Sequence, residues 1–338
     1  MPLDFGIYLN NRAAVFLADY SLPSLLVLAR EAEDLGYHSV WLGDSLLAKP
    51  RYDPIVTLTA IAAQTKAIRL GTGILQSHLR NPVVLALEWT TLDVISRGRT
   101  ILGVGIGSGR PEMMEKECAV AGFAKRDRAR VFEEGIEILR RLWTEESVTF
   151  AGLAHRLDDV QLGYRPVQRP HPPIWVSAGS YNPLKPGTGP IGVHVAAEAG
   201  TFRGPFDRVA RLGDGWLTEH PTPEEYRRTY ETISRAARTK YGRPAPLHRA
   251  LNCWINVADD AESAWDEAKW VAETYHQLPF DRETLDRWLI RGPAAACIER
   301  IAAFEAVGVQ TLMLVIAARD QAAQMRRIAR EIFPAFRR

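Results

Sequence analysis

Residues 68–109 read IRLGTGILQSHLRNPVVLALEWTTLDVISRGRTILGVGIGSG. Two short apolar runs, Ile68–Leu75 and Thr100–Ile106, bracket a segment of helical spacing. Asn81 is a good N-cap, because its side-chain oxygen can accept from the first unpaired amides. Pro82 suits the first turn, where no amide hydrogen is needed. Val83, Val84, Leu87, Thr91, Val94 and Ile95 recur at helical spacing, and Arg97-Gly98 stops the helix. This is a β–α–β unit, whose crossover makes its two strands parallel. Both strands shed side chains toward their C-terminal ends, at Gly71-Thr72-Gly73 and at Gly103, Gly105, Gly107, Ser108 and Gly109. Strand ends thinned in this way admit something flat against the backbone. A flavin-type ring is the expected occupant.

The same alternation extends in both directions. Upstream, Asp4–Leu9 reads as a strand. Ser21 caps a helix whose apolar face is Leu25, Leu28, Ala29, Ala32 and Leu35, closed by Gly36. Ser39–Leu42 is a second strand, and Asp53-Pro54 starts a helix to about Thr65. Downstream, Arg110–Lys125 is a loop or short helical excursion and Arg126–Trp143 a strong helix. Val148–Phe150 and Arg156–Val160 form an inserted hairpin, and Pro173–Ala178 is a buried strand. Tyr181–Pro205, dense in Gly and Pro, reads as a long inserted loop or lid. Then come a helix at Phe206–Leu212, a strand at Gly215–Thr218 and a capping box at Thr222–Glu225. Ala250–Val257 is a strand. The next helix starts at Asp259 with Trp265, Ala268 and Val271 inward. Another runs from Gly292-Pro293 to Gly308. Thr311–Ile316 is the last strand, before a basic helix at about Asp320–Phe333. About eight apolar strands alternating with helices predict one (β/α)8 TIM-barrel domain with insertions at its C-terminal mouth. A doubly wound open sheet is the second choice.

Composition excludes several classes. The chain has 338 residues, 46% of them hydrophobic, enough for a large core. Its net charge is +2, from 42 basic and 40 acidic residues in mixed order. That balance gives no basis for a nucleic-acid or membrane partner. Cys118, Cys253 and Cys297 are far apart and fit buried thiols in a reducing compartment. With no basic and apolar leader at the N-terminus, a cytoplasmic protein is expected. The 8 histidines show no HxH or HExxH spacing, so no metal site is expected. No GxSxG nucleophile motif occurs. The glycine run misses GxGxxG because Ser108 stands at the last glycine position.

The segments VWLGDSLL, IRLGTGIL, RNPVVLALEWTTLDVISRGRTILGVGIG, PIWVSAGS, ARLGDGWL and GPAAACIERI, in this order, resemble the bacterial luciferase-like flavin-dependent oxidoreductases. The resemblance covers most of the chain. It implies a (β/α)8 barrel that binds FMN or the deazaflavin F420 at the C-terminal mouth, and a homodimer. It also implies a non-prolyl cis peptide at Gly73-Ile74 under the middle of the ring. Asp44 matches an acidic position at the end of the second strand, and could hydrogen-bond the ring or relay a proton. Ser45 stands where many deazaflavin members have histidine. Ser177, Ala178, Gly179 and Ser180 match the segment that approaches the cofactor phosphate. The barrel rule, which puts active sites at the C-terminal ends of strands, adds Thr72, Gly105, Gly107 and the pocket candidate His78. Trp41, Trp89 and Trp175 are assigned to packing. The loop 181–205 departs from shorter family members and carries His194 and Arg203, with Arg208 and Arg211 beyond it. The expected activity is monooxygenation of a small organic substrate with reduced FMN and oxygen. F420-dependent hydride transfer is the alternative, and a non-catalytic flavin-binding barrel is the alternative of another class.

Overall fold

The computed structural model describes residues 3–12, 21–107, 111–179, 204–243, 247–276 and 279–337. Ser108, Gly109, Ser180, His194, Arg203 and nearly all of the 181–205 insertion therefore lie outside the described residues. In chain order the elements are β1 (Asp4–Tyr8), α1 (Leu22–Asp34), β2 (Ser39–Leu42), α2 (Pro54–Gln64), β3 (Arg69–Thr72), α3 (Pro82–Ile95), β4 (Thr100–Val104), α4 (Pro111–Val120) and α5 (Arg128–Thr144). The hairpin β5 (Val148–Ala151) and β6 (Arg156–Val160) follows, then β7 (Ile174–Ser177), α6 (Pro205–Leu212), β8 (Gly215–Glu219) and α7 (Pro223–Tyr241). The chain continues with β9 (His248–Val257), α8 (Ala261–His276), α9 (Arg282–Trp288), β10 (Leu289–Gly292), α10 (Ala294–Ala306), β11 (Thr311–Ile316) and α11 (Gln321–Glu331). The parallel strands β1–β4, β7–β9 and β11, alternating with helices, make this a (β/α)8 barrel.

By internal packing the chain divides into two units. One comprises Asn10–Arg30 and Trp41–Val176. Within it β3 pairs β4 (Leu70 beside Thr100) and β4 pairs β7 (Gly103 beside Trp175), both parallel. The hairpin β5–β6 is antiparallel. The other unit comprises Met1–Leu9, Glu31–Val40 and Ser177–Arg338. Here β9 is central, pairing in parallel with β8, β10 and β11, and β11 pairs β1.

Local signals explain most element ends. Asn81 accepts from the amides of Val83 and Val84, and Asp53 from those of Ile55 and Val56, each ahead of a proline. Thr222 and Glu225 form the reciprocal capping box. The apolar positions that recur at helical spacing on α3 are the exception. Val84, Leu87, Val94 and Ile95 are exposed, whereas Leu85, Ala86, Trp89, Leu92 and Asp93 are buried. This helix is apolar on both faces, so period alone could not choose between them. The tertiary anchor is Asp93, fully buried, which accepts from Thr100 Oγ1 (2.6 Å), Gln168 Nε2 (2.8 Å) and the amides of Val167 (2.7 Å) and Gln168 (3.0 Å). On α8, Ala268 is buried as expected, but Trp265 and Val271 are only partly covered. The α9–β10 segment escaped the sequence reading because its apolar run, Trp288-Leu289-Ile290, is only three residues long between Arg287 and Arg291.

Candidate functional site

In the unit that contains β3 and β4, the chain turns sharply after Thr72. The Gly73-Ile74 peptide is cis. Backbone bonds hold this turn on three sides: Gly73 N to Leu42 O (2.8 Å), Asp44 N to Ile74 O (3.1 Å) and Leu75 N to Gly103 O (2.7 Å). Gly105 N returns a bond to Leu75 O at 3.1 Å. Gly73 and Ile74 are half-buried, between the buried stretches Leu70–Thr72 and Leu75–His78. They form a small apolar shelf, of the kind that can support a planar ring.

Asp44 is tied beside this shelf. Its Oδ2 accepts from Arg80 Nη1 (2.5 Å) and from the Gln76 amide (2.9 Å), and its Oδ1 accepts from Arg80 Nη2 (3.1 Å). Arg80 also reaches Asp53 at 2.9 Å. Burial alone would depress the Arg80 pKa, but the Asp44 and Asp53 carboxylates outweigh it and leave it above its ordinary value. Both Asp44 oxygens are thus engaged, and moving a proton through the carboxylate would mean breaking this bidentate pair. Ser45 is tied as well. Its hydroxyl donates to Glu117 Oε1 (3.3 Å) and accepts from the Lys49 amide (2.8 Å). The same Glu117 oxygen accepts from the amides of Leu47 (2.7 Å) and Ala48 (2.9 Å). Glu117, buried on α4, thereby pins the loop after β2. It was missed because nothing local marks one acidic residue on a polar helix.

The thinned strand ends are only partly vacant, which corrects the sequence expectation. A Cβ on Gly71 would lie 2.2 Å from the Trp41 ring, and one on Gly103 would lie 1.9 Å from Thr72 O. At Gly107, φ is +68° and the space belongs to the Gln76 side chain. These glycines make room for the chain's own atoms. Trp41 is buried and stacks on Trp175 at 5.1 Å, in keeping with its packing assignment. Thr72 is fully buried and spends its hydroxyl on Gly103 O (2.7 Å), and Gly105 is buried beside Leu75. His78 is packed rather than presented. It lies edge-on to Phe123 and Phe132, and its Nδ1 has no partner among the described residues. Burial, then the charges of Arg128 and Arg80, push its pKa down to about 4, so it is neutral at pH 7.

The other unit supplies its own strand ends. Ser177 closes β7 half-buried, Ala178 is buried, and Gly179 has φ +90°. The Ala178 amide donates to Leu217 O (3.1 Å), while the Ala178 and Gly179 carbonyls accept from Trp216 Nε1 (3.0 Å) and Thr218 Oγ1 (3.1 Å). Among the described residues, the Gly179 amide and the Ser177 hydroxyl remain as donors suited to an anion. A Cβ at Gly179 would come within 3.1 Å of Thr218 and 3.3 Å of Phe206, so both φ and crowding require glycine. Glu219 ends β8 and His220 follows it, and Asn252 lies beside Glu219 on β9. His220 (φ +65°) is buried and stacks flat on Trp288 at 3.9 Å. Burial, against the opposing pull of Glu219, holds its pKa down to about 4. The sequence reading passed over Glu219 and His220, although the strand-end rule, applied to Gly215–Thr218, points to both.

Comparison with known proteins gives a consistent picture. A family profile described as luciferase-like monooxygenase matches residues 3–311. An F420-dependent glucose-6-phosphate dehydrogenase of Amycolatopsis mediterranei is 26% identical over 333 residues, 93% of this chain and 94% of that protein. The crystal structure of monooxygenase RslO1 from Streptomyces bottropensis is 25% identical, with a TM-score of 0.75 over 99% of this chain and 100% of that one. The coenzyme F420-dependent tetrahydromethanopterin reductase of Methanopyrus kandleri shares the fold, with a TM-score of 0.75 at 19% identity and complete coverage of both chains.

Proposed function

The chain belongs to the luciferase-like monooxygenase family, and from that premise we propose that it is a flavin-type oxidoreductase that oxygenates a small organic substrate with reduced FMN and oxygen. The observation that carries the oxygenase reading is the engagement of the β2 end. Both Asp44 oxygens accept from Arg80, and the Ser45 hydroxyl lies between Glu117 and Lys49. A dehydrogenase that used the β2 end would need a base there to take the alcohol proton, and neither residue is unoccupied. In an oxygenase the bound cofactor supplies the redox chemistry, and the protein supplies binding, orientation and exclusion of water. The Gly73-Ile74 shelf would support the ring, with Asp44, Ser45, Thr72, Gly105 and Gly107 as the frame that fixes its position. The Gly179 amide and Ser177 hydroxyl, with Ala178 and Ser180 beside them, are proposed for the phosphate. F420-dependent hydride transfer is the second reading, favoured by the near full-length dehydrogenase relative.

The whole chain is read as one barrel domain, with 181–205 an insertion at its mouth. We assign it to the cytoplasm, in accord with three buried, unpaired cysteines. Among the described residues, no helix is long and apolar enough to cross a membrane. A homodimer is supported by the exposed apolar side chains Val56, Val84, Leu87, Val94 and Ile95 on α2 and α3. Titration of the purified protein with FMN and with F420, followed by cofactor fluorescence, tests the assignment. Saturable FMN binding with oxygen uptake on reduction is expected. Binding of F420 alone would transfer the assignment to hydride transfer, and binding of neither would end it.

A further inference from the structure

Strand alternation sorts the side chains of β8 and β9 into two faces. Trp216 stacks on Tyr226 of α7, so Trp216 and Thr218 point to the helix layer. Glu219 therefore points to the opposite face, as does Asn252, its parallel partner in register. Paired strands lie about 4.8 Å apart, so the carboxylate and the amide stand side by side, Glu219 at the C-terminal end of β8 and Asn252 in the middle of β9. Two features of this pair are unusual. Asn252 is 9% exposed, and its Oδ1 has no hydrogen-bond partner among the described residues. A buried polar atom left this way costs stability, and a bound ligand would satisfy it. Glu219 keeps about a third of its side chain accessible, and its carboxylate lies 3.6 Å from His220 Nε2. That histidine, buried against Trp288, is neutral at pH 7. Among the described residues, no arginine or lysine pairs with Glu219.

We propose that Glu219 and Asn252 form a recognition site for a protonated amine on the substrate. The carboxylate and the amide oxygen are both acceptors, and an ammonium brings three donors and the complementary charge. The same pair would repel a phosphate or carboxylate. The site thus sets this chain apart in substrate from a relative named for a sugar phosphate. The inference rests on the oxidoreductase reading for its meaning in catalysis, but its physical content is a binding preference that can be read without cofactor.

The test is calorimetric titration of the cofactor-free protein with cyclohexylamine, cyclohexanol and cyclohexyl phosphate at pH 7, repeated with FMN or F420 present. The wild-type protein should bind the amine at least about tenfold more tightly than the phosphate ester, with the alcohol between them. Glu219→Gln keeps the shape and removes the charge, so it should bring amine and phosphate within about threefold of each other. Asn252→Leu should weaken the amine by about tenfold without improving the phosphate. Circular dichroism melting of each variant establishes that it is folded. Equal or tighter binding of the phosphate ester, an unchanged preference in Glu219→Gln, or no binding of the amine would overturn the proposal. Failure of both cofactors to bind sinks the oxidoreductase reading instead, and leaves the cofactor-free preference to be scored by itself.

Discussion

His78 and His220 carry the clearest single-residue consequence. Both are buried, and burial holds both pKa values near 4, below the ordinary 6.5 of histidine. Above pH 6.5 both states are neutral and folding is unaffected. As pH falls from 6.5 to 4 the unfolded chain takes up protons that the folded one refuses, so stability declines across that window. Each histidine contributes about 3 kcal/mol to the decline. Urea unfolding at pH 7 and pH 4.5 should show it, and His78→Phe, packed beside Phe123 and Phe132, should flatten the slope by roughly half. An unchanged slope would assign the acid sensitivity to other groups. Arg80 is the second residue to test. Arg80→Met leaves the Asp44 carboxylate, 8% exposed, without its cation. The expected loss is about 3 kcal/mol in chemical denaturation. Cofactor affinity should fall more than in Arg80→Lys, because Asp44 also orders the Gln76 amide beside the shelf.

At the scale of elements, glycines and one buried acid set how strands and helices meet. Gly71→Ala would drive a methyl group into Trp41, and Gly103→Ala would drive one into the Thr72 carbonyl. The second cannot be relieved by a side-chain rotation, since the atom in the way is backbone. We expect Gly103→Ala to cost about 3 kcal/mol or more, and Gly71→Ala somewhat less if Trp41 can shift on Trp175. Thermal melts ranking the two in the reverse order would contradict this packing. Asp93 ties α3 to β4 and to residues 167–168 through four hydrogen bonds. Asp93→Ala strands those donors and should cost about 3 kcal/mol, with Asp93→Asn recovering part of it.

For the molecule as a whole, the proposed dimer rests on the exposed apolar side chains of α2 and α3. Leu87→Arg with Val94→Glu should turn a dimer into a monomer in sedimentation equilibrium. The melting temperature of the subunit should change little, since both side chains lie at the surface. A wild-type protein that is monomeric at micromolar concentration would refute the dimer outright. The net charge of +2, from 42 basic and 40 acidic residues, gives no argument for a polyanion as partner.

Periodicity, caps and punctuation were enough to foresee the alternation of strands and helices, and with it the barrel. Asn81-Pro82, Asp53-Pro54 and the Thr222–Glu225 box act within one turn of chain, so their signal is local and survives in the sequence. The strand-end rule then directs attention to Asp44, Gly73 and Ser177 without coordinates. What the side chains do there was decided by partners far along the chain. Arg80 and Glu117 immobilise Asp44 and Ser45 from 36 and 72 residues away. Trp41 fills the space at Gly71, and Asp93 chooses which face of α3 is buried. A local pattern records what a residue tends to do, but occupancy of a given space belongs to whichever distant group the fold brings into it first.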